Sequence, residues 1–127
     1  MKPAIKSIRP FIGARNFDLS RQFYADLGFQ EKGLSPVMSV FTAGNFAFYL
    51  QDYYLAEWVD NTMVFLEVAN VDDFWTQLVA LNLPATYPTV KLVPVKSFDW
   101  GKECFVHDPS GVLWHVGEFA HTGHLTP

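Results

Sequence analysis

Two histidines and two carboxylates surround one predicted turn near the end of the chain, in the stretch HDPSGVLWHVGE. His107, Asp108, His115 and Glu118 are residue types that bind divalent metals, but a metal site needs at least three donors that converge on one point. Side chains alternate along a strand, so His115 and Glu118 are expected to point to opposite faces, and His107 has no partner at ligand spacing. We therefore predict that the hairpin is structural and that the protein holds no metal or other cofactor.

The elements that position these residues occur twice along the chain. NFDLSRQFYADLG at 16–28 aligns with NVDDFWTQLVALN at 70–82, and each segment begins with an asparagine suited to cap a helix. Apolar residues recur at helical spacing in both segments, so one face of each predicted helix is core. Gly28 and Asn82 close the segments, and both residue types tolerate the left-handed conformation that ends a helix.

Strand-like runs surround each predicted helix in the same order. IKSIRPFIGA precedes the first helix, and FQEKGL, MSVFTA and FAFYLQ follow it; TMVFLEVA precedes the second, and VKLVPV, CFVH and VLWHVGEF follow it. Prolines between 84 and 94 favour a loop or an edge strand there. We predict an α+β fold of two βαβββ modules in one domain, 1–127. Module one spans about 4–52, an aromatic-rich connector 53–61, module two 62–119 and a tail 120–127.

Composition and charge narrow the range of partners. With 127 residues, half of them hydrophobic and 17% charged, the chain can build a core of its own. A net charge of −4 without a cluster of basic residues argues against nucleic acid, and no apolar run approaches the roughly 18 residues needed to span a membrane. A single cysteine, Cys104, and the absence of a secretory signal favour the cytoplasm. A small molecule is the expected partner.

In the order of its motifs, the chain resembles the vicinal oxygen chelate superfamily, and within it the bleomycin resistance proteins. The resemblance rests on ARNFDLSRQFYADLGF, DNTMVFLEVANVDDFW and DWGKECFVHDPSGVLWHVGE, and it covers nearly the whole chain. It implies a curved mixed sheet around a cavity, usually completed in a homodimer.

The resemblance also shows where the superfamily's enzymes place their metal ligands. The matching positions hold Arg9, Met63 and His115, with Gln51 at the place of an occasional fourth ligand. A guanidinium cannot ligate and a thioether has little affinity for the ions concerned, so one donor of three remains. The resemblance thus implies binding rather than metal chemistry, although an enzyme with a displaced site stays open as the alternative.

Trp100 is the first candidate for ligand contact, since the bleomycin resistance proteins carry a similar Trp-Gly that stacks on a flat ring system. An exposed indole offers an apolar face that also attracts cations, although Trp100 could instead pack under its loop. Met38 matches an aromatic pocket residue of those proteins, and either Met38 or Met63 could contact the ligand or belong to the core. Trp58 and Tyr54 of the connector could cover the cavity, a sheet edge or a dimer seam.

Arg9 and His115 form the predicted polar pair. If both face the cavity they could bind a carboxylate or phosphate together, whereas hydrogen bonds to neighbours such as Glu67 or Gln51 would satisfy them internally.

Three functions remain open from the sequence. The favoured function is a metal-free, cytoplasmic homodimer that sequesters a planar aromatic or cationic ligand, as in antibiotic resistance. A sensor or accessory protein would carry the same pocket, and the alternative is a lyase, isomerase or dioxygenase. Dimerisation would also hide the surplus of aromatic residues. These residues include Phe11, Phe46, Phe48 and Tyr49.

Overall fold

The computed structural model of the protein describes residues 3–120. In chain order its elements are β1 (Phe11–Gly13), α1 (Phe17–Leu27), β2 (Gln30–Ser35), β3 (Met38–Ala43), β4 (Phe46–Gln51), α2 (Ala56–Val59), β5 (Met63–Glu67), α3 (Val71–Ala80), α4 (Leu83–Thr86), β6 (Lys91–Phe98), β7 (Gly101–His107) and β8 (Leu113–Phe119). The predicted order of a strand, a helix and three strands, repeated once, is confirmed. His121 and His124 of the tail lie outside the described residues.

Each module forms its own four-stranded mixed sheet. The strand orders are β1-β4-β3-β2 and β5-β8-β7-β6, and in each sheet the first strand runs parallel to the last strand of its module. The other pairings are antiparallel. One side of each sheet packs against the helix of its module, and we call the other side the open face.

Local signals set the helix ends as expected. The side chains of Asn16 and Asn70 accept hydrogen bonds from Leu19 N and Asp73 N, which satisfies backbone donors in the first turns of α1 and α3. Gly28 ends α1 in the left-handed conformation with φ of 117°. These asparagine caps and the glycine stop confirm both predicted helices, although α3 ends at Ala80, before Asn82.

The proline-rich region divides into two elements. Leu83–Thr86 forms the short helix α4, with Pro84 in its first turn, where the missing N–H costs no hydrogen bond. Pro94 lies where the pairing of β6 with β7 shifts register, between Val93 and Lys96, and β6 is an edge strand. The predicted strands VKLVPV and CFVH are too short, because β6 and β7 both extend to the Asp99-Trp100 turn.

The N-terminal strand is shorter than predicted. Of the run IKSIRPFIGA, only Phe11–Gly13 is strand, and residues 3–10 lead into it as an exposed segment. The connector contains the short helix α2, which the sequence reading did not predict. No helix within residues 3–120 has the length and apolar character needed to cross a membrane.

A buried polar network joins the two modules through the hairpin between β7 and β8. Asp108 Oδ1 accepts hydrogen bonds from the backbone N–H groups of Ser110, Gly111 and Val112, which shapes the turn. Tyr24 of α1 donates its hydroxyl proton to Asp108 Oδ2 at 2.6 Å and accepts the indole N–H of Trp114 at 2.9 Å. The predicted structural role of this hairpin is thereby confirmed.

Burial governs the protonation of this network. It raises the pKa of Tyr24 well above its ordinary value, with the charge of Asp108 adding to the effect. Burial also raises the pKa of Asp108, against the opposing effect of the hydrogen bonds that the carboxylate accepts from Tyr24 and the turn. Trp114 and Tyr24 belong to one core that extends through both modules.

Candidate functional site

The open face of module two brings together histidine, carboxylate and aromatic side chains that could contact a ligand. Cross-strand neighbours share a face, and β8 pairs with β5 on one side and with β7 on the other. Open-face residues on the three strands are Met63, Phe65, Glu67, Leu113, His115, Gly117, Phe119, Gly101, Glu103, Phe105 and His107. The helix-facing positions hold core residues such as Cys104, and burial raises the pKa of the Cys104 thiol to about 11.

Trp100 lies at one end of this face in an aromatic cluster of four residues. The indole stacks on Phe98 with 5.7 Å between ring centroids and planes 3° apart. It also contacts Phe65 at 6.2 Å and Phe119 at 5.5 Å. Trp100 is only partly buried, so it packs against its neighbours and still presents surface.

Gly101 positions this tryptophan. Its φ is 153°, and a Cβ at this position would collide with the carbonyl oxygen of Glu118. Directly beside it, the carbonyl of Trp100 accepts a hydrogen bond from Ala120 N at 2.8 Å. Glycine therefore lets β7 approach β8 closely enough to hold the Asp99-Trp100 turn against the sheet.

His115 is paired with a residue that the sequence reading did not consider. Its Nδ1 lies 2.8 Å from Oε1 of Glu103 on β7, and its ring meets that of Phe105 edge-on at 4.9 Å. Glu118 accepts a hydrogen bond from Val71 N at the start of α3. The prediction that His115 and Glu118 point to opposite faces is confirmed.

Within the single chain, Arg9 and His115 do not form the predicted polar pair. Arg9 lies over the Tyr49 ring of module one and donates a hydrogen bond to the Tyr49 hydroxyl at 3.3 Å, while His115 binds Glu103. No hydrogen bond or ion pair joins the two within residues 3–120. The expected internal partners, Glu67 and Gln51, are also not the ones observed.

Two methionines occupy the open faces at different exposures. Met38 begins β3 beside Gln51 of β4 and is half-buried, whereas Met63 begins β5 beside Leu113 and is 65% exposed. Both are placed to contact a molecule on an open face, and Met63 does so in the same module as Trp100.

The connector residues lie elsewhere. Trp58 packs on Tyr53 with ring centroids 5.7 Å apart and also approaches Gly13 at the end of β1. Arg15 places its guanidinium over the Tyr54 ring at 5.6 Å. Trp58 therefore covers the edge strand β1, one of the alternatives left open by the sequence.

A cavity of about 570 Å³ lies between the modules. The N-terminal segment lines it with Arg9, β4 with Phe48, and β5 with Phe65 and Glu67. Phe65 thus belongs both to this cavity and to the aromatic cluster. The remaining lining residues are mainly apolar, which suits an uncharged or aromatic part of a ligand.

The donor set does not fit a divalent metal. Arg9, Met63 and His115 stand at the matched ligand positions, and the imidazole of His115 is already bound to Glu103. Within residues 3–120 no three His, Cys, Asp or Glu side chains lie close enough to hold one ion.

Several site residues were missed by the sequence reading. Phe65, Phe98 and Phe119 surround Trp100, and Glu103 binds His115. The alternation in SFDWGKECF places Phe98 and Glu103 on one face only once the two-residue turn and the register across it are known.

Comparisons with known proteins were made by sequence and by structure. Neither profiles of protein families nor curated proteins give a match. The bleomycin resistance determinant encoded on transposon Tn5 superposes with a TM-score of 0.76 at 18% identity, covering 92% of this chain and 100% of that chain. The bleomycin-binding protein from Streptomyces verticillus, complexed with copper(II)-bleomycin, gives 0.75 at 21%, covering 91% and 97%.

An enzyme is found among the structural neighbours as well. Lactoylglutathione lyase from Agrobacterium tumefaciens superposes with a TM-score of 0.68 at 17% identity, covering 92% of this chain and 95% of the lyase. Sequence identities this low establish a shared fold but do not establish a shared activity. The chain therefore has the fold that is shared by these bleomycin-binding and bleomycin resistance proteins and by lactoylglutathione lyase.

Proposed function

We propose that the protein is a metal-free binding protein of the bleomycin resistance type, which sequesters a planar aromatic ligand against the open face of module two. The observation that carries the proposal is the partly exposed Trp100, held parallel to Phe98 by the glycine turn. A flat ring system stacked on the indole gains apolar burial, and a cationic ligand gains attraction to the ring face.

Two further features support binding over catalysis. The metal-ligand positions of the fold hold a guanidinium and a thioether, and His115 is bound to Glu103. The structural neighbours named above include two bleomycin-binding or resistance proteins, so metal-free bleomycin is the first probe to try.

We expect bleomycin to quench the tryptophan fluorescence of the protein in a saturable way, and Trp100→Ala to weaken binding by about tenfold to a hundredfold, because stacking against an aromatic side chain contributes about 1–3 kcal/mol. Binding of both proteins is measured by equilibrium dialysis, since the variant loses the reporting indole. Trp75→Phe on α3 is the matched control and should bind as the wild type does. Equal affinity of Trp100→Ala and wild type would contradict the proposed site.

The proposal includes a homodimer whose subunits share the binding cavities. Phe46 is 79% exposed, and Phe11, Phe65 and Phe98 are about half exposed along the open faces. Exposed phenylalanine side chains are a liability on a monomer and can be hidden by a two-fold interface.

Sedimentation equilibrium should therefore give twice the 14.4 kDa chain mass. Phe46→Ser, which places a polar residue on this surface, should shift the protein toward the single-chain mass. A wild-type protein that sediments as one chain at all concentrations would contradict the dimer.

A further inference from the structure

The strongest unassigned feature of the site is the pair formed by His115 and Glu103 on the floor of the module-two open face. The two residues lie on neighbouring strands, and their side chains are 26% and 13% exposed. Phe105 packs edge-on against the imidazole, so the ring is held by a hydrogen bond on one side and by an aromatic contact on another. A pair held this firmly presents a defined hydrogen-bonding pattern to anything above it.

The chemistry of the pair determines that pattern. An ionised carboxylate only accepts hydrogen bonds, so the Nδ1 atom of His115 carries the proton that points to Glu103. In the neutral imidazole the other nitrogen, Nε2, then keeps a free lone pair. Nε2 is consequently an acceptor, and it stays one as long as His115 is uncharged.

Nε2 is not fully buried. The hydrogen bond of His115 to Glu103 uses Nδ1, and the part of the chain that the structure describes offers Nε2 no partner. The same part contains no buried side-chain nitrogen or oxygen atom that lacks a hydrogen bond. An unbonded Nε2 therefore cannot be buried, and the same reasoning applies to the second carboxylate oxygen of Glu103.

The pair lies next to the surface on which we expect the ligand to stack. Phe65 of β5 is the direct strand neighbour of His115, at the roughly 4.8 Å spacing of paired strands. The Phe65 ring reaches across Gly117 and contacts Trp100. A planar molecule that stacks on this aromatic cluster would bring an edge toward Nε2.

We propose that the His115–Glu103 pair selects ligands with a hydrogen-bond donor, such as a phenolic hydroxyl, at the edge of their aromatic system. This inference rests on the proposed function, and it names the ligand class. With His115 neutral, the pair offers only acceptors and a carboxylate charge, which disfavours an anionic group at this point. The ligand group proposed at this point is therefore a hydrogen-bond donor, instead of the carboxylate or phosphate that the sequence suggested for Arg9 and His115.

Two coumarins that differ by one methyl group test this selection. 7-Hydroxycoumarin carries the donor and 7-methoxycoumarin does not, while the bicyclic ring is the same. We expect wild-type protein to bind the hydroxy compound about tenfold more tightly in equilibrium dialysis, the ratio that one hydrogen bond between a site and its ligand supplies. Near-equal binding of the two, or no binding of 7-hydroxycoumarin, would overturn the proposal.

Variants assign the selection to the pair. His115→Phe keeps an aromatic ring but removes both nitrogens, and it should bring the two affinities together. Glu103→Gln keeps an acceptor for the Nδ1 proton and should leave an intermediate ratio. His107→Phe makes the same change at the other histidine of this open face, on β7. It should leave the hydroxy-to-methoxy affinity ratio as in the wild type. His115→Phe leaves Glu103 without its hydrogen-bond partner and could unfold for that reason. The double variant His115→Phe with Glu103→Leu then removes both polar groups and gives the same test.

The outcomes separate this inference from the proposed function. Bleomycin binding that depends on Trp100, combined with a hydroxy-to-methoxy ratio unchanged by His115→Phe, would refute the pair's role and leave the binding protein standing. A ratio abolished by His115→Phe, combined with bleomycin binding indifferent to Trp100, would support the pair and refute the stacking site.

Discussion

Replacing Asp108 with alanine is expected to lower the free energy of unfolding by about 3 kcal/mol or more, because several buried hydrogen bonds end on this one carboxylate. Asp108 is fully buried and accepts from three backbone N–H groups and from the Tyr24 hydroxyl. Alanine would leave those donors without a partner in a water-excluded place. The free energy of unfolding is measured by urea denaturation, and an m-value equal to that of the wild type shows that the change is one of stability.

A graded series makes this prediction specific. Asp108→Asn retains one acceptor oxygen for the turn but loses the oxygen that accepts the hydrogen bond from Tyr24. It should therefore lower the free energy of unfolding by less than alanine does. Asp52→Ala, at an exposed position after β4, should change stability by less than about 0.5 kcal/mol. Equal stability of Asp108→Ala and Asp52→Ala would show that the network does not hold the modules together.

Replacing Gly101 with alanine is expected to cost about 3 kcal/mol of stability, since positive-φ strain and overpacking each contribute about 1–3 kcal/mol. The added Cβ would meet the Glu118 carbonyl and would lie 3.0 Å from Phe119 Cα. To relieve this contact β7 must move from β8, which displaces the turn that carries Trp100. Bleomycin affinity should therefore fall together with stability.

Gly33→Ala is the matched control for this substitution. Nothing lies within 4 Å of a Cβ at Gly33, and its φ is not in the left-handed region. We expect its free energy of unfolding and its affinity for bleomycin to equal those of the wild type. A Gly101→Ala protein with wild-type stability and affinity would mean that the turn has room to relax.

The parts of the fold that depend on neighbouring residues in sequence were predictable. Asn16 and Asn70 act as helix caps because their side chains reach backbone donors three residues ahead. Asp108 was placed in a turn by its neighbours, and Pro94 restricted β6 to an edge position. Each of these results follows from the chemistry of a short segment.

Parts of the site that depend on register were not predictable. Glu103 reaches His115 because β7 and β8 pair as they do, and the sequence separates the two residues by a complete hairpin. Arg9 lies in the segment before β1 of module one and His115 lies on β8 of module two, so only the packing of the modules determines that they do not meet within the chain. The aromatic cluster around Trp100 likewise combines three strands, which no local pattern relates.

Whether the open face binds ligands without a metal is tested most directly by titrating the protein with metal-free bleomycin before and after treatment with EDTA. Metal content is measured by elemental analysis after exposure to Mn, Fe, Ni and Zn. We expect no stoichiometric metal, and the same Trp100-dependent affinity in both titrations. One ion per chain that His115→Ala abolishes, together with ligand binding that requires this ion, would contradict the account.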